Sequence, residues 1–154
     1  SGLMDDKEVT WMPSYGPEQR GGTANVTVIL SDDKISSPVL DRYDIVIALN
    51  QQSLDKFGEK VKAGGILIYD TNGIHKHPTR EDIKIYPIDA MEATLEIGNS
   101  KAYNMVVMGA LLEAMDYKLP MENVIKGLKK SLPERHHKLI PLNEQAIEKG
   151  RTLI

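Results

Sequence analysis

Hydrophobic positions fall into short runs in the first part of the chain and into longer helical stripes later. Val9 to Met12 is a first short run that ends in Pro13. Asn25 to Leu30 (NVTVIL) is rich in β-branched residues and stops at the Asp32-Asp33 turn. Asp44 to Leu49 (DIVIAL) is continuously apolar, the mark of a strand buried on both faces. Gly65 to Tyr69 (GILIY) follows a Gly-Gly turn and is equally apolar. Lys84 to Ile88 (KIYPI) contains Pro87, which places it at a sheet edge or ends it there. These runs predict strands.

The helical stripes lie between and after them. Gln52 to Val61 sets Leu54, Phe57 and Val61 on one face, with Ser53 as cap and the Gly64-Gly65 pair as its end. Ala93 to Met115 predicts the longest helix, bent or broken near Gly98-Asn99-Ser100. Its second half, Asn104 to Met115, is apolar almost all round, as in a buried helix or one at a subunit contact. Met121 to Leu132 is amphipathic between Pro120 and Pro133. Pro141 to Thr152 reads as a closing helix with Pro in its first turn. The span from Asp44 to Tyr69 is a compact βαβ unit, which calls for a parallel crossover. The fold class is therefore α/β: a three-layer, mostly parallel, Rossmann-like sheet with C-terminal helices, in one domain over 1–154.

Composition narrows the function. At 154 residues, 41% hydrophobic and 27% charged, the chain can bury a core without staples. It has no Cys, so it supplies no disulfide, no thiol nucleophile and no Cys ligand for zinc or an iron–sulfur cluster. A net charge of −3 and scarce aromatics argue against a nucleic-acid partner. No apolar run approaches the roughly 20 residues of a membrane span, and the opening SGLMDDKEV has no signal-like core. These features point to a cytoplasmic protein.

Candidate chemistry centres on Trp11 to Thr23, WMPSYGPEQRGGT. Ser14 to Pro17 predicts a turn, and Pro17-Glu18-Gln19 the first turn of a helix. At the carboxyl end of a strand in an open α/β sheet, backbone N–H groups beside Arg20 suit a phosphate or carboxylate. The plainer reading is a tight corner with Arg20 in a salt bridge and the glycines there for packing. The Lys-[Ser/Thr] ending of a P-loop is missing. Asn50-Gln51-Gln52 and Asp70-Thr71-Asn72-Gly73 place further polar groups at strand ends, where they orient a ligand or cap the next element. His75 with His77, and His136 with His137, lack a third ligand at a recognisable spacing, so no metal site is expected. A dinucleotide GxGxxG, a thiamine-diphosphate signature and a Ser/His/Asp arrangement are all absent from the sequence.

Several segments, in order, resemble one family. VTWMPSYGPEQRGGTANVTV resembles the signature region of the gamma subunit of 2-oxoacid:ferredoxin oxidoreductases. DIVIALNQQSLDKF and VKAGGILIYDTN are similar to its next block, Ile97-Gly98-Asn99 with Asn104 to Ala110 resembles its "GN…NMVALGA" helix, and HHKLIPLNEQAIEKG resembles its end. The match is nearest to the 2-oxoglutarate type. The family's Gly-rich G-x-G-G-Q-G turn is missing from the start, so the chain is expected to be N-terminally incomplete. The resemblance implies an accessory subunit of a complex that oxidatively decarboxylates a 2-oxoacid, makes an acyl-CoA and passes electrons to ferredoxin. Thiamine diphosphate, Mg and the iron–sulfur clusters would then be held elsewhere in the complex, with coenzyme A as substrate and no cofactor on this chain alone. Alpha, beta and ferredoxin-like delta subunits would be its partners, and the isolated chain would be inactive and could self-associate. By the same resemblance Ser14, Tyr15, Gly16, Gly21 and Gly22 would shape a loop facing a partner or coenzyme A, and Arg20 would make its anionic contact; Asn50 is a further candidate from its place at the next strand's carboxyl end. Two rivals are a stand-alone domain binding a phosphorylated small molecule at the strand ends, and a purely structural subunit whose corner docks a neighbour.

Overall fold

A computed structural model describes residues 2–15, 24–115 and 119–154. Among them the elements are, in chain order, β1 (Glu8–Tyr15), β2 (Ala24–Ser31), β3 (Tyr43–Ala48), α1 (Gln51–Phe57), β4 (Val61–Asp70), β5 (Lys84–Ile88), α2 (Ala90–Ile97), α3 (Tyr103–Ala114), α4 (Met121–Ser131) and α5 (Ile140–Arg151). The chain forms two compact units, one of Ser1–Leu40 with Leu119–Pro133, the other of Asp41–Lys118 with Glu134–Ile154.

The larger unit is built on a parallel sheet ordered β3-β4-β5. Ile45, Val46, Ile47 and Ala48 pair with Ile66, Leu67, Ile68 and Tyr69, and β4 pairs onward from Ile66↔Lys84 to Asp70↔Ile88. The central strand is buried continuously from Ile66 to Asp70, which is why GILIY has no polar alternation. Its side chains divide between two cores. Ile66 and Ile68 pack with Ile88, Ala93, Val106 and Ala110 on the side of α2 and α3. Leu67 and Tyr69 pack with Val46, Ala48, Leu54 and Ile74 on the side of α1. Period-two alternation on one strand thus makes the three expected layers. Pro87 is tolerated because β5 is an edge strand.

Several local expectations change. Helix α1 starts one residue earlier than expected and stops at Phe57; its cap is Asn50, not Ser53. Gly64 and Gly65 do not end that helix; they lie inside β4. The register steps from Tyr43↔Val61 to Ile45↔Ile66, and Gly64 absorbs the bulge at φ +77 while its N–H donates to the Asp82 carbonyl at 2.7 Å. A Cβ on Gly65 would lie 2.7 Å from the Asp44 carbonyl oxygen, so this position has no room for a side chain. The long helical stripe breaks where the sequence places Gly98, which takes φ +75 as the C-cap of α2. But α2 begins at Ala90, not Ala93, because Asp89 caps it by accepting from the Glu92 N–H at 2.9 Å.

The apolar helix α3 is buried at Val106, Val107, Gly109, Ala110, Leu112 and Ala114. It crosses α5 where two glycines meet. A Cβ on Gly109 would overlap the Ile147 carbonyl oxygen, and one on Gly150 would overlap that of Val106. Helix backbones touch there without side chains between them.

The smaller unit holds an antiparallel ribbon, β1 against β2, in register from Glu8↔Ser31 to Tyr15↔Ala24. The first strand does not end at Pro13 but runs through it to Tyr15, since each strand of a two-stranded sheet has an open edge that tolerates Pro. Ser14 and Tyr15 are therefore strand residues, not the start of a turn. Helix α4 follows Pro120 and buries Asn123 and Val124.

Candidate functional site

At the carboxyl end of the parallel sheet each strand is followed by a polar residue. Asn50 follows β3, Asp70 ends β4, and Asp89 follows β5. Ligands of open α/β sheets bind at such ends. Here each polar group is bonded to its own chain. The Asn50 side-chain oxygen accepts from the Ser53 N–H at 2.8 Å, capping α1. Gln51 stitches the following connection in place: its Oε1 accepts from the His75 and Lys76 N–H groups at 2.8 and 2.9 Å, and its Nε2 donates to Asp55 and to the Lys76 carbonyl. Thr71 donates its N–H to the Ile88 carbonyl at 2.9 Å.

Asp70 lies deepest, 2% exposed. Its Oδ1 accepts from the Asn72 N–H at 3.0 Å, and its Oδ2 accepts from the Tyr103 hydroxyl at 2.5 Å. Burial first, then the hydrogen bond to Asp70 and its charge, push the Tyr103 phenol well above its usual range. Tyr103 thus keeps its proton at neutral pH and serves as donor to Asp70. On the opposite, α1-side face of the sheet the Tyr69 hydroxyl meets His77 Nδ1 at 3.0 Å, and burial raises the Tyr69 phenol too. Both His75 and His77 are on the connection after β4, and no group of three or more His, Asp or Glu suited to a metal occurs among the described residues.

On the amino side of the sheet Arg80 performs a second structural task. Its Nε and Nη2 clamp Asp82 at 2.9 and 2.6 Å, and Nη1 donates to the Gly58 and Val61 carbonyls. The hydrogen bond to Asp82 leads the causes that raise the guanidinium pKa and lower that of the carboxyl. A shallow pocket of about 330 Å³ opens nearby, lined by Asp44, Lys62, Gly64, Gly65 and Met115 among others.

Of the residues singled out from sequence, Asn50 is a helix cap and belongs to the larger unit. Ser14 and Tyr15 belong to the smaller one, exposed at the end of β1 opposite Asn25 and Ala24. Gly16, Arg20, Gly21 and Gly22 lie outside the described residues, as does the expected helical turn at Pro17. Since β1 is in the antiparallel ribbon, the rule for strand ends of parallel sheets does not apply to Ser14 and Tyr15. Asp89 and Tyr103 were missed. Asp89 had a readable signal, Asp followed three residues later by Glu at a helix start. Tyr103 had none, since its partner is 33 positions away.

Fold and rim together define an α/β parallel-sheet domain whose strand-end polar groups are used to build it. Residues 2–153 match the pyruvate ferredoxin/flavodoxin oxidoreductase family, and the chain belongs to that family. It is 32% identical to ketoisovalerate oxidoreductase subunit VorA of Methanothermobacter marburgensis over 95% of this chain, and it spans only 30% of that protein's length. It is 33% identical to 2-oxoglutarate synthase subunit KorC of Methanocaldococcus jannaschii over 86% of this chain and 71% of KorC. Among solved structures, the gamma subunit of the keto/oxoacid ferredoxin oxidoreductase of Geobacter sulfurreducens superposes with TM-score 0.76 and 26% identity, over 98% of this chain and 82% of that one. The 2-oxoglutarate:ferredoxin oxidoreductase of Magnetococcus marinus, solved with 2-oxoglutarate, coenzyme A and succinyl-CoA bound, shares the fold at TM-score 0.83 and 23% identity, over 99% of this chain and 26% of that one.

Proposed function

We propose that this chain is the gamma-type part of a 2-oxoacid:ferredoxin oxidoreductase, with 2-oxoglutarate as the 2-oxoacid. The family match along residues 2–153 carries the reading. The KorC relatives, which this chain covers over most of their length, support the choice of 2-oxoglutarate. In this reading the complex decarboxylates the oxoacid, transfers the acyl group to coenzyme A and passes two electrons to ferredoxin. Thiamine diphosphate, Mg and iron–sulfur clusters belong to alpha, beta and ferredoxin-like delta parts of the assembly, and this chain contributes to assembly and to the coenzyme A side. Asp70, Tyr103 and Asn50 are committed to internal hydrogen bonds, which suits an accessory role. Arg20 is the proposed anionic contact, supported by its setting between turn residues in the sequence.

The test is 2-oxoglutarate- and coenzyme A-dependent dye reduction, by this chain alone and by the complex reconstituted with its partners. The expected result is turnover in the complex only. Turnover by this chain alone would sink the accessory reading.

A further inference from the structure

The ribbon of β1 and β2 has its polarity inverted. Directly opposed residues of an antiparallel pair share a face. The pairs Val9↔Leu30, Trp11↔Val28, Pro13↔Val26 and Tyr15↔Ala24 fall on one face, and Thr10↔Ile29, Met12↔Thr27 and Ser14↔Asn25 on the other. The first face carries no charged residue and no hydrogen-bonding side chain beyond the Trp and Tyr tips. It is nevertheless the more open one: Trp11 is 66%, Tyr15 74%, Val26 53% and Val28 54% exposed. At its Val9–Leu30 end Gly2 lies close, since an added Cβ there would collide with Leu30, which is still 39% exposed.

Such a face has a physical cost. The opposite face is the less exposed one, so what is left in water is this face's large apolar side chains, whose exposure is unfavourable. The exposed apolar side chains amount to roughly 500 Å², at the upper range of patches that monomers carry. That is most of one partner's share, about 800 Å², of a standard protein interface. The absence of Lys and Arg from the face disfavours an anionic membrane. The long relatives suggest what covers it. The matched region is 30% of VorA, so there the same unit is joined covalently to a polypeptide more than twice its size, which holds that polypeptide at high effective concentration beside it.

Resting on the function proposed above, we infer that the Trp11–Val28–Val26–Tyr15 face is a docking surface for the large, thiamine-diphosphate-binding part of the same oxidoreductase. Its matching surface is apolar and uncharged. Trp11 and Tyr15 are the anchors, as large aromatic side chains are at the centre of most interfaces.

Trp11 is the single Trp of this chain, which gives a direct probe. The chain is labelled with 5-fluorotryptophan and mixed with the unlabelled thiamine-binding partner. The ¹⁹F resonance is expected to move and to lose its H₂O/D₂O isotope shift. Trp11→Glu should raise the Kd for the partner at least tenfold, whereas Leu95→Glu, at a similarly exposed place on α2, leaves it within twofold. Val26→Thr, which keeps the β-branch, should weaken binding without harming the strand, and guards against misfolding of the Glu variant. If the complex forms with an unchanged resonance and full affinity of Trp11→Glu, the docking surface is wrong and the proposed function stands. If no complex forms with the wild-type chain, both fall. If the chain alone dimerises with Trp11 already shielded and Trp11→Glu makes it monomeric, the occupant is a second copy and the inference is overturned.

Discussion

Two side chains at the carboxyl end of the sheet illustrate how single residues act. Asp70 is a buried carboxylate, and such a group is tolerated only when bonded. Tyr103 supplies one of its two bonds. Tyr103→Phe leaves the carboxylate one partner short and is expected to cost about 1–3 kcal/mol in urea denaturation near neutral pH. The pH dependence has a definite sign. The folded-state pKa of Tyr103 is raised above its ordinary value of 10.0. Its contribution is therefore full below pH 10 and declines above it, as the unfolded chain ionises while the folded one keeps its proton. Denaturation between pH 8 and 11 should show this decline, with a shallower slope in Tyr103→Phe. Asn50 offers a simpler case. Asn50→Ala removes the α1 cap and should lower stability by about 1 kcal/mol, and Asn50→Asp should restore it by thermal melting.

At the scale of elements the α3–α5 crossing dominates the larger unit. Alanine normally gains up to about 1 kcal/mol over glycine inside a helix. At Gly150 this gain is outweighed, because the added Cβ would overlap the Val106 carbonyl oxygen across the crossing. Gly150→Ala should therefore destabilise by about 1–3 kcal/mol, as overpacking does, and a lowered Tm is the measurement that checks it. The apolar pattern of α3 left burial or a subunit contact open, and its side chains prove buried at Val106, Ala110 and Leu112, while Gly98 announced the break before it. The pairing of Gly109 with Gly150 was not legible, because sequence pattern reports which face of a helix is apolar and not which backbone lies against it. The same reason explains β4. A Gly-Gly pair after a helical stripe reads as a stop signal, yet here it makes a bulge inside a strand, because β4 begins before the pair and its neighbours β3 and Asp82 set the register.

For the whole molecule the predictions concern assembly. On the function proposed above, Arg20→Ala in the assembled enzyme is expected to raise the KM for coenzyme A about tenfold, the size of one lost charge-assisted contact, with assembly intact. Steady-state kinetics beside size-exclusion chromatography distinguish this from a docking role, in which assembly weakens and KM is unchanged. No helix among the described residues is long and apolar enough to cross a membrane.

The sequence alone determined the layered α/β class, the parallel βαβ unit, the break at Gly98 and the family. Each depends on local signals: the period of apolar residues, the backbone freedom of glycine, or a motif order that survives without structural knowledge. The tertiary structure decided the rest. It separated β1 and β2 from the parallel sheet, since pairing partners are chosen by contacts that a single strand does not encode. It joined Asp70 to Tyr103 across 33 positions. And it turned the apolar side of the ribbon outward, a choice invisible in the sequence because alternation names two faces but not which of them meets solvent.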